Sequence, residues 1–379
     1  MLMANMQSPR DPKLIRNILI KGLILFLLAN LVFAIIKPMP FLGHISGYNR
    51  LFPGRVRLPY GERPDLAYNL SLFSLEAMFA SHEIASMPKP EDEYRVILIG
   101  DSSIWGFLLH PEDTLSGLLN AQSLSVAGRK LHIYNLGYPT MSITKDLVML
   151  NYALHYQPDL VVWLFTLESM PCDKQLDSEI LQHNPEIVRS LISAYGLKLN
   201  PMDPDFIRPT FWDQTIAGER RALADLIRLQ IYGVMWSATG IDQYYPEKYD
   251  PPQRDLDPDD TFHGMKPPTL NPDDLALEVL DTGVKMAGNI PILLINEPIY
   301  ISDGKNSDIR YNFFYPRWIY DLYRQLLAEQ SHTKGWRYFD VWDLVPANEY
   351  TNSAIHLTPS GETLLAEQVR MAIMGVIGK

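Results

Sequence analysis

The chain has 379 residues, 47% of them hydrophobic, and a formal net charge of −11 at pH 7. This composition is typical of a folded protein with one large domain or a core domain with insertions, and the acidic balance argues against a nucleic-acid partner. The single cysteine, Cys172, excludes an intramolecular disulfide and any metal site built from several cysteines.

An apolar stretch near the N-terminus predicts a membrane helix. Roughly 19 of residues 18–37 suit the interior of a bilayer. A helix of about that length spans a bilayer. Arg10, Lys13 and Arg16 precede the stretch, so the positive-inside bias places residues 1–17 in the cytoplasm. We therefore predict a single-pass membrane protein whose remaining chain is extracytoplasmic. A cleaved signal peptide and a buried core helix are the alternatives.

Two long regions have no clear assignment from their sequence. Residues 38–92 are rich in Pro, Gly and aromatic residues and end in a linker rich in Pro and charge. They either pack on the main domain or form a stalk. An insertion at about 171–287 is too long for an ordinary connection between two strands. Its aromatic residues suit either a lid that shapes a pocket or a packing subdomain.

From residue 93 to the end at 379 the sequence alternates between strand and helix patterns. Such alternation predicts a flavodoxin-like, three-layer α/β/α domain with a parallel sheet of about five strands. The predicted strands are 96–100, 132–136, 160–166, 292–296 and 337–341. The predicted helices are 104–109, 115–122, 143–155, 220–229 and 362–377.

A candidate nucleophile follows the first predicted strand. The apolar run ends abruptly in Gly100-Asp101-Ser102, and a helical segment comes next. Open α/β folds keep their sites at the carboxyl edge of the sheet, and this order lifts the Ser102 hydroxyl to that edge. Backbone N–H groups at the start of the next helix can face a developing negative charge. Ser102 is the leading candidate for a nucleophile.

A base and an oxyanion donor are predicted at the same edge. A serine hydroxyl needs a base within hydrogen-bond reach, and His356 lies on the loop between the last strand and the closing helix. Gly137 follows the second strand, where its N–H could bind a carbonyl oxygen beside the Ser102 N–H. No histidines have metal-ligand spacing, and neither a metal nor a cofactor is predicted.

These blocks resemble the SGNH/GDSL hydrolase family. Gly100-Asp101-Ser102 matches the first block, Gly137 the second, and His356, followed by Leu-Thr-Pro-Ser-Gly, the last. The resemblance covers roughly residues 94–170 and 288–375. It implies that Ser102 is the nucleophile, His356 the base and Gly137 an oxyanion donor.

Two blocks depart from the family pattern. The family has an asparagine after the third strand, where Thr166 and Glu168 are the nearest residues here. They are the predicted oxyanion or binding residues, although an ionised glutamate aimed inward would oppose an oxyanion. This departure leaves the third oxyanion donor unassigned.

The second departure concerns the acid that supports the histidine. The family places it three residues before the histidine, where Ser353 stands here, preceded by Asn352. A neutral Ser or Asn can fix the imidazole tautomer but stabilises imidazolium less than a carboxylate. Asp340 or Asp343, after the fifth strand, could occupy the position of the family's acid beside the histidine. A Ser–His dyad is the other alternative.

The resemblance implies acyl-ester chemistry through an acyl-enzyme. Water as acceptor makes the protein an esterase, and a sugar hydroxyl makes it an O-acyltransferase of an exported polysaccharide. Cell-envelope carbohydrate suits an anchored protein, and a transferase would need a separate membrane partner to supply its acyl donor. The alternative to an enzyme is a catalytically degenerate carbohydrate-binding or assembly protein. The two departures from the family pattern support this alternative.

Overall fold

The computed structural model describes residues 12–52, 54–60 and 73–378. This part of the chain forms a six-stranded sheet with helices on both faces, which confirms the predicted α/β/α class. Arg10, one of the cations used to orient the membrane helix, lies outside the described residues.

The strands are β1 (Glu93–Ile99), β2 (Ser125–Val126), β3 (Arg129–Asn135), β4 (Leu160–Phe165), β5 (Ile292–Asn296) and β6 (Arg337–Asp340). The α-helices are α1 (Pro12–Ile36), α2 (Met39–Gly43), α3 (Gly47–Leu51), α4 (Leu75–Ala80), α5 (Ser102–Trp105), α6 (Leu115–Ala121), α7 (Ile143–Ala153), α8 (Glu179–His183), α9 (Pro185–Tyr195), α10 (Arg220–Thr239), α11 (Leu277–Ala287), α12 (Arg317–Lys334) and α13 (Pro359–Ile377).

The strand order places the carboxyl end of β1 beside the crevice in which open α/β sheets bind ligands. The order is β2-β3-β1-β4-β5-β6, with β2 antiparallel to β3 and every other neighbouring pair parallel. The chain winds from β1 to β3 on one side and then returns to β4 on the other. This is the flavodoxin-like order, and the crevice beside the first strand is where such sheets bind ligands.

Strand β1 is apolar throughout because both faces of the sheet are covered. Ile97 and Ile99 point into the core that α7, α11 and α12 close, whereas Val96 and Leu98 point into the core closed by α6 and α13. Successive side chains of a strand point to opposite faces, so a strand buried on both sides reads as a continuous apolar run. That run made the strand predictable.

Several elements differ from the sequence predictions. Helix α5 ends at Trp105 instead of continuing to residue 109, because Gly106 takes a left-handed conformation with φ 83°. Helix α10 continues ten residues beyond the predicted end, to Thr239. Strand β2 and helices α11 and α12 were not predicted. The two-residue β2 is too short to give an alternation pattern.

Helix α1 contains 25 residues, a length of about 37 Å, and is mostly exposed. Of its side chains, only Asn30 and Ala34 are buried. By length and composition this helix could cross a membrane, as a signal sequence near an N-terminus also could.

Part of the 38–92 region, residues 54–60, packs on the α/β/α domain and its insertion. The buried Arg57 guanidinium pairs with Asp242 of the insertion at 2.6 Å. It also donates hydrogen bonds to the carbonyl oxygens of Gly106 and Leu109, at 2.8 and 2.9 Å. The loop after Ser102 is therefore held by both the N-terminal region and the insertion.

Candidate active site

The turn that carries Ser102 is held by close packing and a helix cap. A Cβ on Gly100 would lie 2.5 Å from the Ile104 side chain and 3.0 Å from the Leu164 carbonyl oxygen, so only glycine fits. Asp101 caps α5, since its Oδ1 accepts a hydrogen bond from the Ser103 N–H at 2.9 Å. Both features place Ser102 at the first position of α5, at the carboxyl end of β1.

Ser102 and His356 meet directly. The Ser102 Oγ lies 2.8 Å from the His356 Nε2. The loop that carries the histidine is closed by a hydrogen bond from the Thr351 N–H to the His356 carbonyl oxygen, at 2.8 Å. The Phe107 ring lies 5.1 Å from the imidazole, measured between centroids. Burial lowers the pKa of His356 to about 4, so the ring is neutral at neutral pH and can accept a proton.

The other nitrogen of the imidazole faces Asn352. The His356 Nδ1 lies 3.3 Å from the Asn352 Oδ1. An amide oxygen only accepts, so the Nδ1 carries the proton and the Nε2 is free to accept from Ser102. Asn352 thus supplies the tautomer control that a carboxylate supplies in a full triad, but without its charge.

The remaining candidates for the supporting acid do not reach His356 within the described residues. Asp340 accepts a hydrogen bond from the Asn296 amide at 2.9 Å and pairs with Arg324 at 2.8 Å. Asp343 lies on an exposed part of the loop after β6. Ser353 makes no hydrogen bond to the histidine in the described part of the chain. Neither aspartate forms a hydrogen bond or ion pair with His356 among the described residues, so Asn352 is the side chain that contacts the Nδ1 there.

The Gly137 N–H, predicted as an oxyanion donor, already has an acceptor in this structure. It donates to the Asn135 Oδ1 at 3.0 Å. A Cβ at this position would lie 2.5 Å from the Trp105 nitrogen, so the glycine is required by close packing against α5. The first N–H groups of a helix have no acceptor within that helix, and the Ser102 N–H is such a group. It remains the candidate donor to an oxyanion.

A buried lysine that the sequence did not single out links the two strand ends. Lys145 is fully buried on α7, and its Nζ donates to the carbonyl oxygens of Gly100 and Tyr138, both at 2.8 Å. Asp146 balances its charge at 2.5 Å. The turn before Ser102 and the turn after β3 are thus fixed to one another. A lysine in a helix pattern is usually solvated, so no local pattern indicated this role.

Thr166 and Glu168 both form hydrogen bonds to neighbouring side chains, and Glu168 also forms an ion pair. The Thr166 hydroxyl lies 2.8 Å from the Tyr315 hydroxyl, which also accepts from the Glu168 N–H at 3.2 Å. The Glu168 carboxylate pairs with Lys174 at 2.6 Å and lies 3.2 Å from the His263 Nε2, both in the insertion.

These partners decide the ionisation of Glu168. Burial alone would raise its pKa, but the hydrogen bond from His263 and the charge of Lys174 hold the pKa below its usual range. The same hydrogen bond raises the pKa of His263. The glutamate is therefore an ionised contact between the sheet edge and the insertion.

A second carboxyl group lies under the nucleophile turn. The Ser103 hydroxyl donates to the Glu297 Oε2, at the end of β5. The Glu297 Oε1 and the Asp101 Oδ2 are buried without a hydrogen-bond partner among the described residues. Burial, together with the Asp101 charge, raises the pKa of Glu297 well above its usual value. Burial therefore favours the neutral form of Glu297, whose Oε2 accepts the hydrogen bond from Ser103. The sequence signal that could have pointed to Glu297 is an acidic residue directly after a buried strand.

Comparisons with known proteins give distant structural likenesses. No family model matches the chain, and no curated protein matches it. The chain is similar to a lipase/acylhydrolase from Enterococcus faecalis at 14% identity and a TM-score of 0.36, over 74% of this chain and 95% of that one. It is similar to a carbohydrate acetylesterase from Sinorhizobium meliloti at 12% identity and a TM-score of 0.34, over 74% and 99%. It is also similar to the periplasmic domain of a lipopolysaccharide acetyltransferase from Salmonella ser. Paratyphi A at 9% identity and a TM-score of 0.34, over 77% and 87%.

These likenesses are distant, and the fold assignment rests on features of this chain. The parallel strands have the flavodoxin-like order, Ser102 follows the central strand β1, and His356 precedes the last helix. The two side chains meet at the carboxyl edge of the sheet. Together these features give the chain an SGNH-type fold.

Proposed function

We propose that the protein is a serine esterase of the SGNH type that acts through an acyl-enzyme on Ser102. The observation that carries this proposal is the 2.8 Å distance between the Ser102 Oγ and the His356 Nε2. A neutral imidazole at that distance can take the hydroxyl proton as the oxygen attacks. Asn352 supports the proposal by holding the imidazole in the tautomer that the reaction needs.

The reaction follows from these groups. The Ser102 Oγ bonds to the acyl carbon, its proton moves to the His356 Nε2, and the former carbonyl oxygen becomes an oxyanion that can face the Ser102 N–H. The ester C–O bond then breaks, and His356 returns the proton to the leaving alcohol. An acceptor hydroxyl repeats these steps on the acyl-enzyme. Water gives a carboxylic acid, and a sugar hydroxyl gives a new ester.

The substrates we propose are acyl esters of cell-envelope carbohydrate. Helix α1 would anchor the protein as a single-pass membrane protein, and Lys13 and Arg16 before its apolar part favour an extracytoplasmic catalytic domain. An anchored domain on that side would meet envelope polymers. The alternative activity is O-acyl transfer to an exported polysaccharide. Since α1 is the one candidate span among the described residues, transfer would require a separate membrane partner to supply the acyl donor.

Trapping of the acyl-enzyme tests the proposal. The full chain in detergent would be mixed with p-nitrophenyl acetate, quenched in acid, and analysed by peptide mass spectrometry. We expect an acetyl group on the Ser102 peptide that is absent from Ser102→Ala. Addition of oligosaccharide acceptors then separates the two activities, because a transferase yields acetylated sugar and an esterase yields acetate. A folded protein that binds glycans but never acquires the acetyl group would instead be a carbohydrate-binding protein.

A further inference from the structure

Helix α10 exposes a continuous apolar face. The outward side chains follow the i, i+4, i+7, i+8 and i+11 spacing of one helical face. They are Ile227, Ile231, Val234, Met235 and Ala238. Ile227 and Ile231 are 63% and 55% exposed, which is unusual for isoleucine on a helix in water. A helix of a protein surrounded by water normally directs such a face inward.

The fold itself keeps this face outward, because the opposite face is already packed. Leu229 is buried in the core, and Gly233 lies so close to the Tyr48 ring that a Cβ would come within 2.3 Å of it. The Gln230 side chain accepts from the Gly47 N–H at 2.7 Å and donates to the Ile45 carbonyl oxygen at 3.4 Å. Helix α10 therefore cannot turn its exposed stripe inward without losing these contacts.

Helix α10 contacts the segment that follows helix α1, and the chain just before α10 contacts α1 itself. The Asn30 Oδ1 on α1 accepts a hydrogen bond from the Ala217 N–H, three residues before α10. Further large apolar side chains are exposed in the segment after α1 and in the insertion. They are Phe41, Ile45, Leu51 and Phe52 after α1, and Phe211, Trp212, Ile241 and Tyr244 in the insertion. So many large apolar side chains exposed on α10, the segment after α1 and the insertion point to an interaction surface, which we call the apolar surface.

Cations accompany the apolar surface although the chain as a whole is acidic. Four exposed cations lie on the same elements: Lys37 directly after α1, Arg50 on α3, and Arg220 and Arg228 on α10. Arg228 also pairs with Asp225 at 3.1 Å, and Arg220 donates to the Ala217 carbonyl oxygen at 2.7 Å. Helices that lie in the membrane interface combine an apolar face with Lys and Arg at its border, and they add Trp at the level of the lipid headgroups.

We propose that this surface rests in the headgroup and upper acyl region of the same bilayer that α1 spans. The stripe on α10 and the exposed aromatic residues of the insertion enter the lipid, and these cations contact anionic headgroups. The catalytic domain is thereby held against the membrane instead of swinging on a flexible anchor. This inference rests on the membrane anchoring proposed above.

Lipid quenching at single positions tests the contact. The full chain, with Cys172→Ser as background, would carry one cysteine at position 25, 231 or 371, each labelled with a bimane fluorophore. Position 25 lies in α1 and reports the anchor. Met371 is a matched control, 45% exposed on α13, which packs on the opposite core from that of Leu229. The labelled proteins would be reconstituted into phosphatidylcholine and phosphatidylglycerol vesicles with and without brominated acyl chains.

The expected result is a blue shift and loss of fluorescence with brominated lipid for L25C and I231C, and neither change for M371C. Quenching at position 25 without quenching at 231 would overturn the proposed surface and leave the anchor intact. A blue shift at 231 without lipid quenching would assign the face to a protein partner or a second copy, which also overturns the proposal. Quenching at neither position would overturn the anchor and the surface together.

Discussion

The Asn352 Oδ1 lies 3.3 Å from the Nδ1 of His356, on the side of the imidazole away from Ser102. An amide thus stands where a full triad has a carboxylate. It orients the ring and fixes the proton on the Nδ1, but it offers no negative charge to the imidazolium of the proposed reaction. The site is therefore built for tautomer control with weaker stabilisation of charge.

Replacement of Asn352 separates these two effects. Asn352→Ala removes the acceptor, so we expect kcat to fall at least about tenfold while KM changes little, because the imidazole loses its orientation. Asn352→Asp keeps the acceptor and adds charge, and we expect kcat to rise above the parent value. Steady-state hydrolysis of p-nitrophenyl acetate measures both. Equal losses in the two variants would show that Asn352 does not orient the base.

The pH dependence should follow the lowered pKa of His356. Only the neutral ring accepts the Ser102 proton, and burial brings its pKa to about 4. We therefore expect kcat/KM to be flat from about pH 5 to 8 and to fall about tenfold per pH unit well below 4. The Asn352→Asp variant should move this acidic limb to higher pH, because a carboxylate favours imidazolium. An acidic limb at or above the ordinary histidine pKa in the parent would contradict the buried, neutral base.

Glu297 should behave as a neutral acid. Its pKa is raised by burial, so the folded protein loses stability as pH rises above the ordinary carboxyl value, where the unfolded chain ionises. Glu297→Gln keeps an acceptor for Ser103 and removes this loss, and we expect its free energy of unfolding to equal or exceed that of the parent at pH 8. Glu297→Ala leaves the Ser103 hydroxyl unpaired and should cost about 1–3 kcal/mol. Urea unfolding at pH 5 and 8 measures both, and a Gln variant as unstable as Ala at pH 8 would contradict the neutral state.

We expect the packing of residues 54–60 to depend on Asp242. It balances the buried Arg57 at 2.6 Å and the buried Arg55 at 3.7 Å. Asp242→Ala leaves both guanidinium groups buried without a counter-charge, and breaking a buried pair in this way typically costs about 3–5 kcal/mol. Asp303→Ala is the matched control, because its pair with Arg254 is exposed and should leave the free energy of unfolding unchanged. Similar urea midpoints for the two variants would show that residues 54–60 are not held by this cluster.

The sequence predicted the sheet and the meeting of Ser102 with His356 because their signals are local. Strands buried on both faces are continuous apolar runs, as in β1 and β4, and their predicted positions agree with the structure within a few residues. Ser102 follows such a run, and His356 precedes a capped helix. Because parallel strands end at the same edge, their meeting could be expected.

The groups that support these side chains depend on contacts between distant parts of the chain. Lys145 and Glu297 resemble an ordinary helix lysine and a turn residue, and only tertiary packing buries them near Ser102. Gly137 matched a family block, but its N–H was committed to Asn135, two residues away. Arg57 and Asp242 are separated by 185 positions, so no local pattern relates them.

Fluorophosphonate labelling tests the central claim most directly, because the reagent bonds to a serine only when its hydroxyl is activated. The full chain in detergent would be labelled beside Ser102→Ala, His356→Ala and Ser103→Ala, each checked for folding by thermal unfolding. We predict that the parent and Ser103→Ala are labelled, that the adduct lies on Ser102, and that Ser102→Ala and His356→Ala are not labelled. A folded parent that stays unlabelled, or one whose labelling survives in Ser102→Ala, would contradict an activated Ser102–His356 pair.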